Sequence, residues 1–135
     1  RTVEDSKEFR DGMPGTHVKN LYLRDRKKRN FLVITQEDLA VDLKSLQRDI
    51  AADRLSFGSP DRLFEFLGVR PGAVSLFTLV NDTNHQVQLA LDSSLLQADR
   101  IYFHPLVNDL TLGVTPDDIH AFLAITGHQP KIITL

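Results

Sequence analysis

Two short runs, Val18 to Leu23 and Phe31 to Thr35, are rich in residues that favour a pleated, half-buried surface, and only seven residues separate them. Arg24-Asp25-Arg26-Lys27-Lys28-Arg29 lies between them and is too polar to join either run. A β-hairpin with a basic connection follows, and the rest of the chain must be built around it. His17 to Arg24 alternates as a strand does, which places Lys19 on the same face as Leu21 and Leu23. An ammonium among leucines is costly unless it is paired or reaches water. Lys19 is therefore a candidate functional residue as well as a candidate sheet-end lysine.

Helices announce themselves further along by their ends. Asp42 precedes Leu43, Leu46 and Ile50, whose spacing makes one helical stripe. Ser59-Pro60 is an N-cap followed by proline in the first turn, with Leu63, Phe64 and Leu67 as the apolar face and Gly68 as the stop. Thr115-Pro116-Asp117-Asp118 repeats the device before Ile119, Phe122, Leu123 and Gly127. Thr2 to Phe9 has weaker helical character after a capping-box-like Thr2-Val3-Glu4-Asp5, and the abrupt start leads us to expect that an upstream portion is missing. Val74 to Val80, Val87 to Leu91 and Ile101 to Phe103 read as further strands, and Lys131 to Leu135 as a closing one. This order predicts one α/β domain over residues 1–135, a mixed sheet covered by helices rather than a strict βαβ alternation.

With 135 residues and 41% hydrophobic content, such a domain can bury a core without staples. The absence of cysteine removes disulfides, thiolate ligands and a cysteine nucleophile, and fits a reducing cytoplasm. No apolar run approaches the roughly 20 residues needed to cross a bilayer, so a soluble, intracellular protein without membrane partners is expected. A net charge of -2 argues against general polyanion binding, but the hexad concentrates five cations locally. Arg24, Arg26, Lys27 and Lys28 are either a solvated turn or contacts for RNA phosphate.

No phosphate-loop or dinucleotide glycine pattern is present, and Ser75 lacks the flanking glycines of a nucleophile elbow. No two histidines fall at the helical spacing of a zinc site, and the only carboxylate near His104 in sequence is Asp109, so no metal is expected. What remains is a set that binds and polarises better than it attacks: Lys19, Asn20, the Gly72-Ala73-Val74-Ser75 backbone, His104, Asn108 and Thr111. If these converge, the natural chemistry is hydrolysis of an activated ester by a positioned water, with backbone amides or Lys19 stabilising the oxyanion.

Lys19-Asn20-Leu21-Tyr22-Leu23-Arg24-Asp25, Leu67-Gly68-Val69-Arg70-Pro71-Gly72-Ala73-Val74-Ser75 and Phe103-His104-Pro105-Leu106-Val107-Asn108 together resemble the prolyl-tRNA editing family, in particular its freestanding Ala-tRNA(Pro) deacylase branch. The similarity continues through Val41-Asp42-Leu43-Lys44, Leu55-Ser56-Phe57 and Gly127-His128-Gln129-Pro130. The resemblance implies a single domain around a curved mixed sheet that hydrolyses mischarged aminoacyl-tRNA without metal, cofactor or covalent intermediate. It implies that Lys19 is the functional lysine, that Asn20 is its neighbour in the pocket, and that His104 is part of the wall near the terminal adenosine. The tRNA's own ribose hydroxyl would assist the attack, and a prolyl-tRNA synthetase would be a transient partner. A synthetase pocket sized for proline rejects the smaller alanine poorly, so a second, smaller site must remove it. Where the family commonly has proline after the Val-Ser pair and glycine after the next phenylalanine, this chain has Leu76 and Thr78. A freer loop is expected there. Activity on another small aminoacyl group, serine or cysteine, and a binding module without turnover are the alternatives that this departure raises.

Overall fold

In a computed structural model of the chain, residues 15–104 and 111–135 are described; the expected helix at Thr2 to Phe9 and the candidate Asn108 lie outside them. The hairpin forms as its sequence predicts, from β1 (Thr16–Asp25) and β2 (Asn30–Gln36), paired antiparallel with Lys19 opposite Thr35. After it come α1 (Leu43–Asp49), β3 (Leu55–Phe57) and α2 (Pro60–Leu67). Then follow β4 (Val87–Asp92), β5 (Ile101–Phe103), β6 (Leu112–Val114), α3 (Pro116–Thr126) and β7 (Lys131–Ile133). The strands make one mixed sheet in the order β6-β5-β1-β2-β4-β7, with β3 also pairing with β1. β1 runs parallel to β5 and antiparallel to β3, while β2, β4 and β7 are parallel to one another.

β2 lies inside the sheet and is buried on both faces from Asn30 to Thr35, which is why it reads as an almost unbroken apolar run. Side-chain alternation then divides the core in two. Val18, Tyr22, Leu32, Ile34 and Leu91 face α2 and α3, meeting Leu63, Leu67, Ile119 and Leu123. Leu23, Phe31, Val33 and Ala90 face α1, meeting Leu46 and Ile50.

The helix ends are those the sequence names. The Ser59 side chain accepts the Arg62 N–H at 3.2 Å, and Gly68 ends α2 at φ 70°, a left-handed conformation that glycine adopts without penalty. Thr115 and Asp118 form a reciprocal capping box on α3. Asp42 accepts the Lys44 N–H at 3.1 Å and the Ser45 hydroxyl at 3.0 Å. Phe64 does not join the buried face of α2: it is 49% exposed, with the Arg70 guanidinium over its ring at 4.4 Å.

Three segments depart from expectation. Val74 to Val80 is not a strand; Leu76–Asn81 is a 3-10 helix capped by Ser75, whose side chain accepts the Phe77 N–H. Leu76 and Leu79, three apart, are both buried, the period of a 3-10 helix rather than of a strand. Three-residue strands at β3 and β6 escaped prediction because so short a run carries no measurable alternation. The loop around Leu76 is also not freed by the absence of proline, since Thr78 Oγ1 donates to the Ser75 carbonyl at 2.6 Å and the Thr78 N–H to the same oxygen at 3.1 Å.

Candidate active site

Lys19 stands near the start of β1 and is half-buried, and its ammonium donates to the carbonyl of Leu39 in the stretch that follows β2. One acceptor leaves two of the three N–H donors of a lysine to be satisfied elsewhere. On the same face, Thr35 donates to Asp92 at 2.7 Å and both are buried. The apolar side of the hairpin thus ends in a polar row, Lys19, Thr35 and Asp92, as it leaves the α1 core.

His104 comes to His17 through the register of β5. Thr16 pairs with Ile101 and His17 with Tyr102 in parallel, where the pairing ends, and His104 follows two residues after Tyr102. His17 and Lys19 share a face, and so do Tyr102 and His104. His17 Nδ1 and His104 Nε2 are 2.5 Å apart, their rings are within 6° of parallel, and their centroids are 4.7 Å apart. A nitrogen separation so much shorter than the centroid separation means that the rings meet edge to edge, along a hydrogen bond, rather than face to face. His104 Nδ1 lies 3.3 Å from Thr111 Oγ1. The Tyr102 ring stacks on His17 at 5.0 Å.

Asp109 is not the carboxylate that the structure gives His104. Glu37, just past the end of β2, has Oε2 3.7 Å from His104 Nε2, and its N–H donates to the His17 carbonyl at 2.9 Å. His17, Glu37 and His104 offer ligand atoms all within 4.8 Å of one another, a juxtaposition that helical spacing cannot foresee because it comes from three strand ends. The nitrogens nevertheless face each other too closely for an ion to lie between them, since each zinc–nitrogen bond needs about 2.0–2.1 Å.

The remaining candidates divide. Asn20 follows Lys19 in β1, so its side chain points to the opposite face, and its Oδ1 is buried without a hydrogen-bond partner. That is the face on which Val74, Leu76 and Leu79 pack. Gly72 and Ala73 belong to a 3-10 turn, Pro71–Ala73, and Gly72 does not adopt a positive φ. On the side of β1 away from β2, β5 pairs only at Thr16 and His17, and β3 only from Leu23 onward. Among the described residues, then, β1 has no strand neighbour on that side from Val18 to Tyr22, and Lys19 and Asn20 flank this open stretch from its two faces.

The basic turn lies at the other end of β1, six residues and about 20 Å from Lys19. It is a built structure around Asp25, which is buried and accepts the Arg29 N–H at 2.9 Å, Arg29 Nε at 2.8 Å and the Asp53 N–H at 3.1 Å. Burial pushes the Asp25 carboxyl upward, but the hydrogen bonds from Arg29 and Asp53 outweigh it and hold the group below the usual carboxylate range. Arg24 is spent locally, donating to the Lys28 carbonyl at 3.0 Å and lying over Phe66. Arg26 pairs with Asp53 at 3.3 Å, and Lys27 and Lys28 are exposed. Beside this turn, Lys44, Arg48 and Arg54 line an open cleft of about 490 Å³ with Gln47, Ala52 and Asp53, cations that the sequence reading did not single out.

The described residues thus set a half-buried lysine and a pair of hydrogen-bonded histidines at one end of the sheet of an α/β domain. The family model of the aminoacyl-tRNA editing domain matches residues 1–122. The chain is 38% identical over 119 residues to a prolyl-tRNA editing protein, ProX, of Acetoanaerobium sticklandii, covering 87% of this chain and 73% of that protein. It is 36% identical over 135 residues to prolyl-tRNA synthetase associated domain-containing protein 1 of Danio rerio, covering 98% and 73%. A solved structure described as a candidate trans-editing enzyme for prolyl tRNA synthetase superposes with a TM-score of 0.69 over the whole chain and 80% of its own length, at 23% identity. The protein belongs to the aminoacyl-tRNA editing domain family, and it is an aminoacyl-tRNA deacylase. Among the described residues, no helix is long and apolar enough to cross a membrane.

Proposed function

We propose that the chain hydrolyses the ester of mischarged Ala-tRNA(Pro), acting in trans, with Lys19 as the polarising group. The observation that supports this reading is the half-buried Lys19 ammonium, held on the Leu39 carbonyl at the open stretch of β1, in a chain 38% identical to a prolyl-tRNA editing protein. The Lys19 ammonium keeps its anchor on the Leu39 carbonyl and directs a remaining N–H at the ester carbonyl oxygen, where negative charge grows as water attacks. The carbon–oxygen bond to the terminal ribose then breaks, a proton passes from the attacking water to the ribose oxygen, and free alanine and tRNA leave. No metal and no covalent intermediate are needed. The water is held by the substrate's own ribose hydroxyl and by the site, which gains its rate from orientation.

Asn20 and the Gly72-Ala73-Val74-Ser75 backbone form the other wall, with His104, Thr111 and Asn108 toward the terminal adenosine. Its Ser75 cap and Thr78 hydrogen bond stiffen the loop that excludes proline by size, the part that proline plays elsewhere in the family. Lys27 and Lys28, with Arg26 and the cleft cations Lys44, Arg48 and Arg54, would contact phosphates about 20 Å from the ester. A prolyl-tRNA synthetase is the transient partner that releases the substrate.

The test is loss of the aminoacyl ester over the spontaneous rate from Ala-tRNA(Pro), Pro-tRNA(Pro), Ser-tRNA and Cys-tRNA in parallel. Selective loss of alanine is expected. Loss of serine or cysteine instead would make the Leu76 and Thr78 loop a specificity change, and no loss from any would leave a binding module.

A further inference from the structure

We propose that His17 is a positioning residue for His104, holding its ring through one shared proton. This rests on the deacylase reading for what the pair does, but the pairing stands on geometry alone. Two imidazole edges 2.5 Å apart at Nδ1 and Nε2 require one proton between them, because two bare nitrogens would repel and two N–H groups would collide. The pair therefore exists either neutral, with one N–H donating to the other nitrogen, or carrying one added proton, in which case both outer nitrogens are N–H donors. Glu37, with Oε2 3.7 Å from His104 Nε2, is the counter-charge for the second form. Adding a further proton would set two N–H groups head to head, and the rings would have to part.

Everything around the pair fixes its rings rather than leaving them free to swing. Thr111 Oγ1 lies at the outer nitrogen of His104, so both nitrogens of that ring have partners. His17 is braced by Tyr102, and Tyr102 is wedged between two glycines: a Cβ at Gly15 would fall 2.9 Å from its Cε2, and one at Gly113 2.7 Å from its Cε1. Only glycine leaves room for the ring on both sides. Contacts running from Gly15 and Gly113 through Tyr102 to His17 thus orient the histidine that meets His104 edge to edge. Among the described residues, this face also carries the Tyr102 phenol and the Lys19 ammonium, which is held on the Leu39 carbonyl. With both nitrogens committed, His104 serves as an oriented wall and not as the base that activates water.

His17→Phe keeps a ring against Tyr102 and removes the nitrogen, while His17→Asn puts a hydrogen-bonding group near the position of Nδ1. Two readouts apply. Long-range proton–nitrogen NMR of the histidine rings reports their tautomers with no substrate present. kcat/KM for Ala-tRNA(Pro) reports the consequence. In the wild type the two facing ring nitrogens are expected to be one N–H and one bare nitrogen. In His17→Phe the contact to His104 Nε2 is removed, and kcat/KM should fall about ten- to a hundredfold, the loss of one charge-assisted hydrogen bond. His17→Asn should restore most of it. Two N–H groups or two bare nitrogens at the facing edges in the wild type, or an unchanged kcat/KM in His17→Phe, would overturn the pairing. So would stoichiometric zinc binding that needs both histidines, because the cluster would then be a ligand set. If the NMR shows the coupled pair and no aminoacyl-tRNA is hydrolysed, the pairing stands and the deacylase reading of this site falls.

Discussion

Thr78 Oγ1 donates to the carbonyl of Ser75 at 2.6 Å, closing a turn that the sequence alone would have left loose. The hydroxyl does what a rigid ring would do, fixing Ser75 and the backbone before it. Thr78→Val keeps the shape of this buried side chain and removes the bond. We expect a stability loss of about 0.5–1.5 kcal/mol, the net contribution of one hydrogen bond. The discrimination between Ala-tRNA(Pro) and Pro-tRNA(Pro) should narrow by about tenfold, since loosening that costs 1.4 kcal/mol of selectivity is one decade. Parallel deacylation rates on the two substrates, with a thermal melt, check it. Unchanged discrimination would detach the loop from specificity.

Lys19 has one fixed acceptor, the Leu39 carbonyl, and the rest of its charge is available to a substrate. Lys19→Ala should lower kcat by about a hundredfold or more, the loss seen when one oxyanion donor is removed. Circular dichroism should show the fold retained, because the side chain is only half-buried. Full turnover by the variant would remove Lys19 from the mechanism.

Asp25 organises the hairpin turn with three donors, and its carboxyl is held below the ordinary range. A carboxyl depressed by folding stabilises the native state above its unfolded value, about 3.9. That contribution fades as the pH falls below this value through the folded one. Asp25→Asn should therefore cost about 1–3 kcal/mol at pH 7, discounted for the partly exposed Arg29, and much less near pH 3. Urea midpoints of both proteins at the two pH values decide it, and an equal gap at both would exclude the carboxylate charge as the cause.

Lys27 and Lys28 are exposed at the turn, whereas Arg24 and Arg26 already have partners. Replacing Arg26, Lys27 and Lys28 by Ala should weaken tRNA binding and reduce the slope of log K against log salt by about 2. Binding titrations at several salt concentrations measure that slope. No change would make the knob a solvated turn whose cations serve only the fold.

Features that depend on neighbouring residues were legible before any coordinates. Ser59-Pro60 with Gly68 and Thr115-Pro116-Asp117-Asp118 with Gly127 set two helices because caps act within one turn of backbone. The β1–β2 hairpin followed from two apolar runs and one polar connection. Where local signals conflict, the reading failed: Val74 to Val80 is apolar enough for a strand, but the Ser75 and Thr78 side chains bond to nearby backbone and curl it into a 3-10 helix.

What the sequence by itself determined is the list of chemically capable residues: a lysine among leucines, several histidines, and no thiol or activated serine. Only the tertiary structure decided which of them meet. His17 and His104, 87 residues apart, come together because β1 and β5 pair in parallel, and Glu37 joins them from the end of β2. Lys19 and Asn20, adjacent in sequence, point to opposite faces. The physical reason is that cap and periodicity signals act over a few residues, whereas strand register is set by the packing of two cores across the sheet, which no single segment contains.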